Sequence, residues 1–168
     1  GDPLRLLPRS GPDFMWSLAV VGDDVIILTD DIIPGGSAPT LWIGNPKTGN
    51  WEPLIDLDTS GLEGQLAPWT IGISAGTNEA LVTAVSTAEL PLSGDDPVEV
   101  EVVAWLVEPE EAIATRTILP VDTPATISRP TTWFDGRWHI MMPLTAVDYF
   151  WVETALWSSA NGTTWTED

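Results

Sequence analysis

Apolar residues along this chain come in short runs that alternate with polar ones, broken every few residues by Gly, Asn, Asp or Pro. No window holds a 3.6-residue apolar period, so the pattern predicts strands rather than helices. The runs are rich in Val, Ile, Thr and Trp, which suit a pleated, half-buried surface. Three stretches share one plan. In the first, strand-like residues 16–21 lead to a turn at Gly22-Asp23-Asp24, then to 25–29, a loop with Pro34-Gly35-Gly36, 40–43, a turn over 45–49, and 51–55. The second runs through 69–74, a Gly76-Thr77-Asn78 turn, 80–85, a long loop with Ser93-Gly94-Asp95-Asp96, 98–107, Pro109-Glu110-Glu111 and 112–119. The third runs through 131–134, Asp135-Gly136, 137–142, a loop with Asp148, 150–157, a hairpin at Asn161-Gly162, and a strand from 164. Asn-Gly between two such runs predicts a tight hairpin, because both residues accept a positive φ.

A Trp in the third strand of each stretch marks the period. Trp42 and Trp105 are 63 residues apart, Trp105 and Trp157 are 52 apart, and the longer step contains extended loops at 56–67 and 87–97. Four-stranded units at such spacing predict propeller blades, here about 14–56, 68–120 and 129–168. A β-sandwich of two Greek keys is the competing architecture. Residues 1–8 resemble the fourth strands at 53–55 and 117–120, so they are expected to complete another blade. Propellers close with roughly four to eight blades. The expectation is therefore an all-β, propeller-like array of three four-stranded antiparallel blades in an incomplete ring. Missing blades of a longer chain, or a homo-oligomer, would complete it.

Composition narrows the class of partner. The chain has 25 acidic and 6 basic residues, a net charge of −19. Nucleic acid is excluded by that balance, and no apolar run is long enough for membrane insertion. The acidity suits either a solubilising surface of a secreted or salt-adapted protein, or an acidic face for cations or basic ligands. There is no Cys, hence no disulfide, thiolate metal site or Cys nucleophile. These features fit an extracellular or periplasmic bacterial protein.

The turn Ser158-Ser159-Ala160-Asn161-Gly162-Thr163-Thr164-Trp165 resembles the Asp-box, or bacterial neuraminidase repeat, S-x-D-x-G-x-T-W. Ser158, Gly162, Thr164 and Trp165 match. Ala160 stands where the family has its Asp, and an Asx-type hydrogen bond from Asn161 is the expected substitute. The turn from Asn45 to Trp51 is similar to the corresponding turn of kelch repeats. The Asp-box resemblance implies a sialidase-like propeller fold. The family spans sialidases, other glycoside hydrolases, sorting receptors and non-catalytic scaffolds, so the fold alone does not choose a function.

A sialidase would imply an arginine cluster, a Tyr–Glu nucleophile pair and an Asp acid/base. Five Arg, the single Tyr149 and a faint Ser128-Arg129-Pro130 echo supply no such set, and no catalytic residue is assigned. A generic glycosidase needs two facing carboxylates, and Asp30, Asp31, Asp95, Asp96 and Asp148 are available in loops. As turn formers they are equally explained. His139, the one His, cannot build a zinc site alone, and neither a metal site nor a cofactor is implied. The residues expected at the channel mouth are Trp16, Trp69 and Arg129, at the starts of the innermost strands, ringed by Asp30, Asp95 and Asp148. Indole faces would stack on a sugar and a guanidinium would hold a carboxylate. Packing between blades is the structural explanation of the same Trp residues. The leading function is a non-catalytic binding or scaffold module, with a carbohydrate or protein ligand. The alternative is part of a secreted sialidase-like glycoside hydrolase.

Overall fold

Short alternating runs separated by turn residues can pair only with their sequence neighbours, and that is how the chain folds. The structure, a computed structural model, describes residues 15–33, 36–67, 70–88, 100–120, 131–147 and 150–168. Among these residues there is no α-helix, and no helix long and apolar enough to cross a membrane. The strands form three antiparallel sheets. The first holds β1 (Met15–Val21), β2 (Asp24–Ile33), β3 (Gly36–Asn45) and β4 (Asn50–Asp56). The second holds β5 (Gln65–Leu66), β6 (Gly72–Ala75), β7 (Ala80–Thr87), β8 (Val100–Glu108) and β9 (Ile113–Ile118). The third holds β10 (Thr132–Phe134), β11 (Arg137–Val147), β12 (Phe150–Ser159) and β13 (Thr166–Glu167).

Among the described residues strand order follows chain order in the first and third sheets, and in the second β5 and β6 share the innermost place beside β7, followed by β8 and β9; each sheet is thus a meander rather than part of a Greek key. Innermost strands β1 and β10 both lie against β6, and the three sheets form an arc rather than a closed ring. This is a propeller-like array.

One register unites the sheets. Trp42, Trp105 and Trp157 lie opposite Ile27, Val82 and Ile140 on the neighbouring second strand. Side chains alternate across each strand, so this register fixes which face each residue serves. In the second sheet Ala80, Val82, Ala84, Val103, Trp105 and Val107 pack on Ile26, Leu28 and Leu41 of the first. Its other face, with Leu81, Val85, Val102 and Ala104, packs on Trp138, Ile140, Trp157 and Trp165 of the third. Every residue of β7 is buried, which explains why its sequence is apolar or small throughout instead of alternating.

Glycines let the sheets approach. A Cβ on Gly76 would stand 2.8 Å from the Trp138 ring, and one on Gly162 would stand 2.9 Å from Leu106. Polar seams join the inner strands as well: Ser74 Oγ donates to the Thr131 carbonyl, and Thr131 Oγ1 donates to Thr83 Oγ1 at 3.1 Å.

Several local expectations need correction. The innermost strand of the second sheet is not continuous over 69–74; it is split into β5 and β6, both paired to β7. At the break, Thr70 Oγ1 accepts the Val85 amide at 2.9 Å and donates to the Ala67 carbonyl at 2.7 Å. A side chain thus replaces a missing ladder partner. Strand β5 falls in what reads as connection, because two residues hold too little pattern to register as a strand. Strands β2 and β11 run on to Ile33 and Val147, so Asp30 and Asp31 are paired strand residues opposite Pro39 and Ala38, not loop residues. The last hairpin is also wider than a two-residue Asn-Gly turn. Strand β13 begins at Thr166, and Gly162 (φ 70°) takes the left-handed region there while Asn161 does not.

Candidate functional site

The two turns at one end of the first sheet build a groove of about 400 Å³, lined by Asp24, Ile43, Gly44, Asn45, Thr48, Asn50, Trp51 and Glu52. Its frame is the β3–β4 turn. Asn45 Oδ1 accepts the Lys47 amide at 2.9 Å, an Asx turn that reverses the chain directly after the strand. The Asn45 carbonyl accepts the amides of Thr48 and Gly49 at 3.1 and 3.0 Å, and the Thr48 hydroxyl at 3.2 Å. Gly49 at φ 70° makes the final bend into β4.

Trp51 follows at once and lies opposite Gly44. The indole rests on the glycine: a Cβ there would come within 2.6 Å of Trp51 Cε3. Trp51 is half-buried, so part of the indole is accessible. Around it the groove offers two carboxamides, a hydroxyl and the carboxylates of Asp24 and Glu52, and no Lys or Arg is among its lining residues. A flat apolar wall beside neutral donors and acceptors can hold a polyhydroxylated ring. An anionic ligand would meet like charge.

A second polar cluster fastens the connection between the first two sheets. Trp105 Nε1 donates to the Asp58 carbonyl at 3.1 Å, and Arg116 Nη1 donates to the Asp58 and Ser60 carbonyls at 3.2 and 2.6 Å. Asp58 Oδ1 accepts the Ser60 hydroxyl at 2.6 Å and the Ser60 amide at 2.9 Å, and Oδ2 lies 3.4 Å from Arg116. The Ser60 hydroxyl, its amide and, less, the Arg116 charge hold the Asp58 carboxyl below its ordinary value. Nearby, Glu101 Oε2 accepts the Glu63 amide at 2.7 Å. These groups are committed to holding a strap in place.

Of the residues expected at a channel mouth, Trp69, Asp95, Arg129 and Asp148 lie outside the described residues, as does the 1–8 segment. Trp16 and Asp30 are described by backbone: Trp16 near the start of β1, Asp30 in β2 opposite Pro39. Both are at the end of the sheet away from the groove. Of the described cations, Arg116 is committed to the strap, Arg137 donates to Ser158 Oγ at 3.1 Å, and Lys47 is exposed on the turn that frames the groove, though not among its lining residues. No arginine cluster forms among the described residues, and no group of His, Cys, Asp and Glu there is arranged to hold a metal. The groove residues were visible in sequence as a kelch-like turn. Their convergence in one groove was hidden because it depends on Asp24, which arrives from a different turn.

No protein-family model matches the chain, and no curated protein does. Solved structures do match in fold. The uncomplexed acylaminoacyl peptidase of Pyrococcus horikoshii aligns over 92% of this chain and 32% of its own, with a TM-score of 0.50 and 8% identity. The Trypanosoma rangeli sialidase in complex with sialic acid aligns over 90% of this chain and 29% of its own, with a TM-score of 0.51 and 10% identity. At such identities the likeness is one of fold: a β-propeller-like, sialidase-like arrangement of antiparallel sheets. The chain spans about a third of the length of these structures.

Proposed function

We propose that this chain is a non-catalytic binding module of an exported β-propeller protein, and that its groove takes a neutral carbohydrate. The observation that carries the reading is the pairing of Trp51, seated on Gly44, with Asn45, Thr48, Asn50 and two carboxylates in one groove without a cation. Stacking supplies affinity for a sugar face, and amides with carboxylates orient its hydroxyls. The same charge argues against a sialic acid, whose carboxylate asks for guanidinium partners. The turn at 158–165 supports an Asp-box-like propeller in which Asn161 replaces the family carboxylate.

A glycan array on the purified chain tests this. Neutral glycans should bind, sialylated ones should not, and Trp51→Ala should weaken the neutral signal roughly tenfold or more. The proposal is overturned by an array with no neutral hits, or by undiminished binding of Trp51→Ala. Loss of binding in Trp16→Ala or Trp69→Ala, with Trp51→Ala unchanged, would move the ligand to the channel mouth. Asp24 and Glu52 together also allow the glycoside-hydrolase alternative, since that chemistry uses two carboxylates. Turnover of aryl glycosides that Asp24→Asn and Glu52→Gln abolish would replace binding by catalysis.

A further inference from the structure

The outer edges of the three sheets are not alike. A strand edge is a template for further pairing unless proline, charge, irregularity or shortness blunts it. β4 carries Pro53, which has no N–H, beside Glu52 and a register shift, and it ends in Asp56. β13 has only two residues, Thr166 and Glu167. β9 has none of these protections. Its run Ile113-Ala114-Thr115-Arg116-Thr117-Ile118 holds no proline and no acid, and it pairs with β8 in unbroken register. The Leu119 amide donates to the Val102 carbonyl at 2.8 Å, which makes those two a bonded pair. Bonded and non-bonded pairs alternate along an antiparallel ladder, so Ile113, Thr115 and Thr117 bond inward to β8. Ala114, Arg116 and Ile118 direct their N–H and C=O outward, and among the described residues no backbone group meets them there. Ile113 and Ile118, at the two ends of the edge, are 45% and 42% exposed. The edge belongs to the middle sheet, which packs on the first with one face and on the third with the other. Its openness is therefore a property of the rim and of neither outer sheet.

We propose that this edge pairs with the same edge of a second copy of the chain, antiparallel about a two-fold axis through Thr115. Outward-directed groups meet one another only if the axis passes through a residue, and Thr115 is the residue that suits. Thr115 then faces Thr115, a favourable cross-strand pair. Ala114 exchanges backbone bonds with Arg116 of the other copy, and Ile113 lies beside Thr117. An axis through Arg116 would instead set two guanidinium groups directly opposite each other. The run is thus its own complement, which is why a second copy fits better than a foreign strand. Antiparallel pairing also sends the acidic β8–β9 turns, with Glu108, Glu110 and Glu111, to opposite ends of the seam. A seam of six residues is smaller than a standard interface, so the dimer is a weak one that forms with rising concentration. The net charge of −19 on each copy opposes it, and salt relieves that repulsion.

Sedimentation equilibrium on the 168-residue chain should show a mass that climbs with concentration from 18.2 kDa toward twice that. Salt at about 0.5 M should strengthen the association. Ala114→Pro removes an outward N–H and leaves the ladder to β8 whole. Thr115→Glu sets two carboxylates face to face at the axis. Each should weaken association roughly tenfold or more, with circular dichroism and melting of the monomer unchanged. The chain has no Cys, so a single introduced one reports the register. Residues opposite each other in a non-bonded pair have Cα atoms about 4.5 Å apart, within disulfide reach. Oxidised Thr115→Cys should therefore give a disulfide-linked dimer, while Thr117→Cys, which faces Ile113, should link far less. A chain that stays at 18.2 kDa at every concentration in salt overturns the proposal. So does a dimer that both Ala114→Pro and Thr115→Glu leave intact, which would place the contact on another surface. Equal cross-linking at 115 and 117 would overturn the axis.

Discussion

Asn161 Oδ1 accepts the Thr164 amide at 2.8 Å and the Thr163 amide at 3.1 Å, so one carboxamide closes the turn that leads into the last strand. Ser159 Oγ adds a bond to the same oxygen at 3.1 Å, and Trp165 Nε1 donates to the Gly162 carbonyl at 3.2 Å. The turn sets Trp165 into the core between the second and third sheets. Removing the acceptor in Asn161→Ala should therefore destabilise the chain by about 1–2 kcal/mol, with Asn161→Asp retaining most of the stability. Urea unfolding of the two variants measures it. Equal stability of Ala and Asp at this position would refute the role given to the oxygen.

Gly162 invites a comparison with Gly136. Both adopt a left-handed φ, 70° and 72°, but a Cβ on Gly136 meets open space while one on Gly162 meets Leu106. Each Gly→Ala change carries the backbone cost of about 1–2 kcal/mol. Crowding between sheets should make Gly162→Ala worse by about 1 kcal/mol or more. Melting temperatures of the two variants would show whether the packing contact exists.

The repeat was legible because its marker is a packing requirement. A large residue is needed where a third strand meets the preceding sheet; Trp105 and Trp157 answer it, and Trp42 stands at the matching register of the first sheet. The turns were legible through Gly22, Gly49 and Gly136, whose left-handed backbone few other residues tolerate. What sequence pattern missed depends on long-range pairing. Strand β5 exists because Gln65 and Leu66 meet Thr87 and Ser86, and nothing local announces it. Asp30 and Asp31 look like loop formers, yet the hairpin carries them as strand. The groove was obscured for the same reason, since Asp24 of β2 and Trp51 of β4 converge only after both strands pair with β3.

Thr70 is the tie across the broken innermost strand. Thr70→Val keeps the shape and leaves the buried Val85 amide without its acceptor. The expected loss is about 1–3 kcal/mol, out of proportion to one hydroxyl. Hydrogen exchange at the Val85 amide should accelerate in the variant. Unchanged protection would mean that another group had taken the bond.

Trp105 and Trp42 hold equivalent register positions with different surroundings. Trp105 is fully buried and its indole N–H reaches the Asp58 carbonyl, whereas Trp42 is half-buried and donates to Thr29 Oγ1 at 3.1 Å. In the single chain Trp105→Ala should cost about 3–5 kcal/mol, and Trp42→Ala less than half of that. Denaturant titrations at low concentration compare them. If the two costs are alike, the partial exposure of Trp42 does not lessen its contribution.

Acid should act through the Asp58 strap. Ser60 donates twice to this carboxylate and Arg116 stands beside it, so its folded pKa lies below the ordinary value of 3.8. A carboxyl with a depressed folded pKa favours folding when ionised. Its contribution is fully present above the unfolded value, shrinks as pH falls below it, and is gone once pH passes the folded value. Asp58→Asn removes that contribution at every pH. The wild-type chain should therefore melt above Asp58→Asn at neutral pH by a constant margin. The margin should close only as pH drops below about 4, where the wild-type carboxyl itself takes up a proton. Because the group is solvent-exposed, 1 M salt should shrink the part that Arg116 supplies while leaving the Ser60 bonds in place. Parallel melting curves from neutral pH down to acid settle it: a margin that persists unchanged to the lowest pH, or none at neutral pH, would show that the strap is held without the carboxylate.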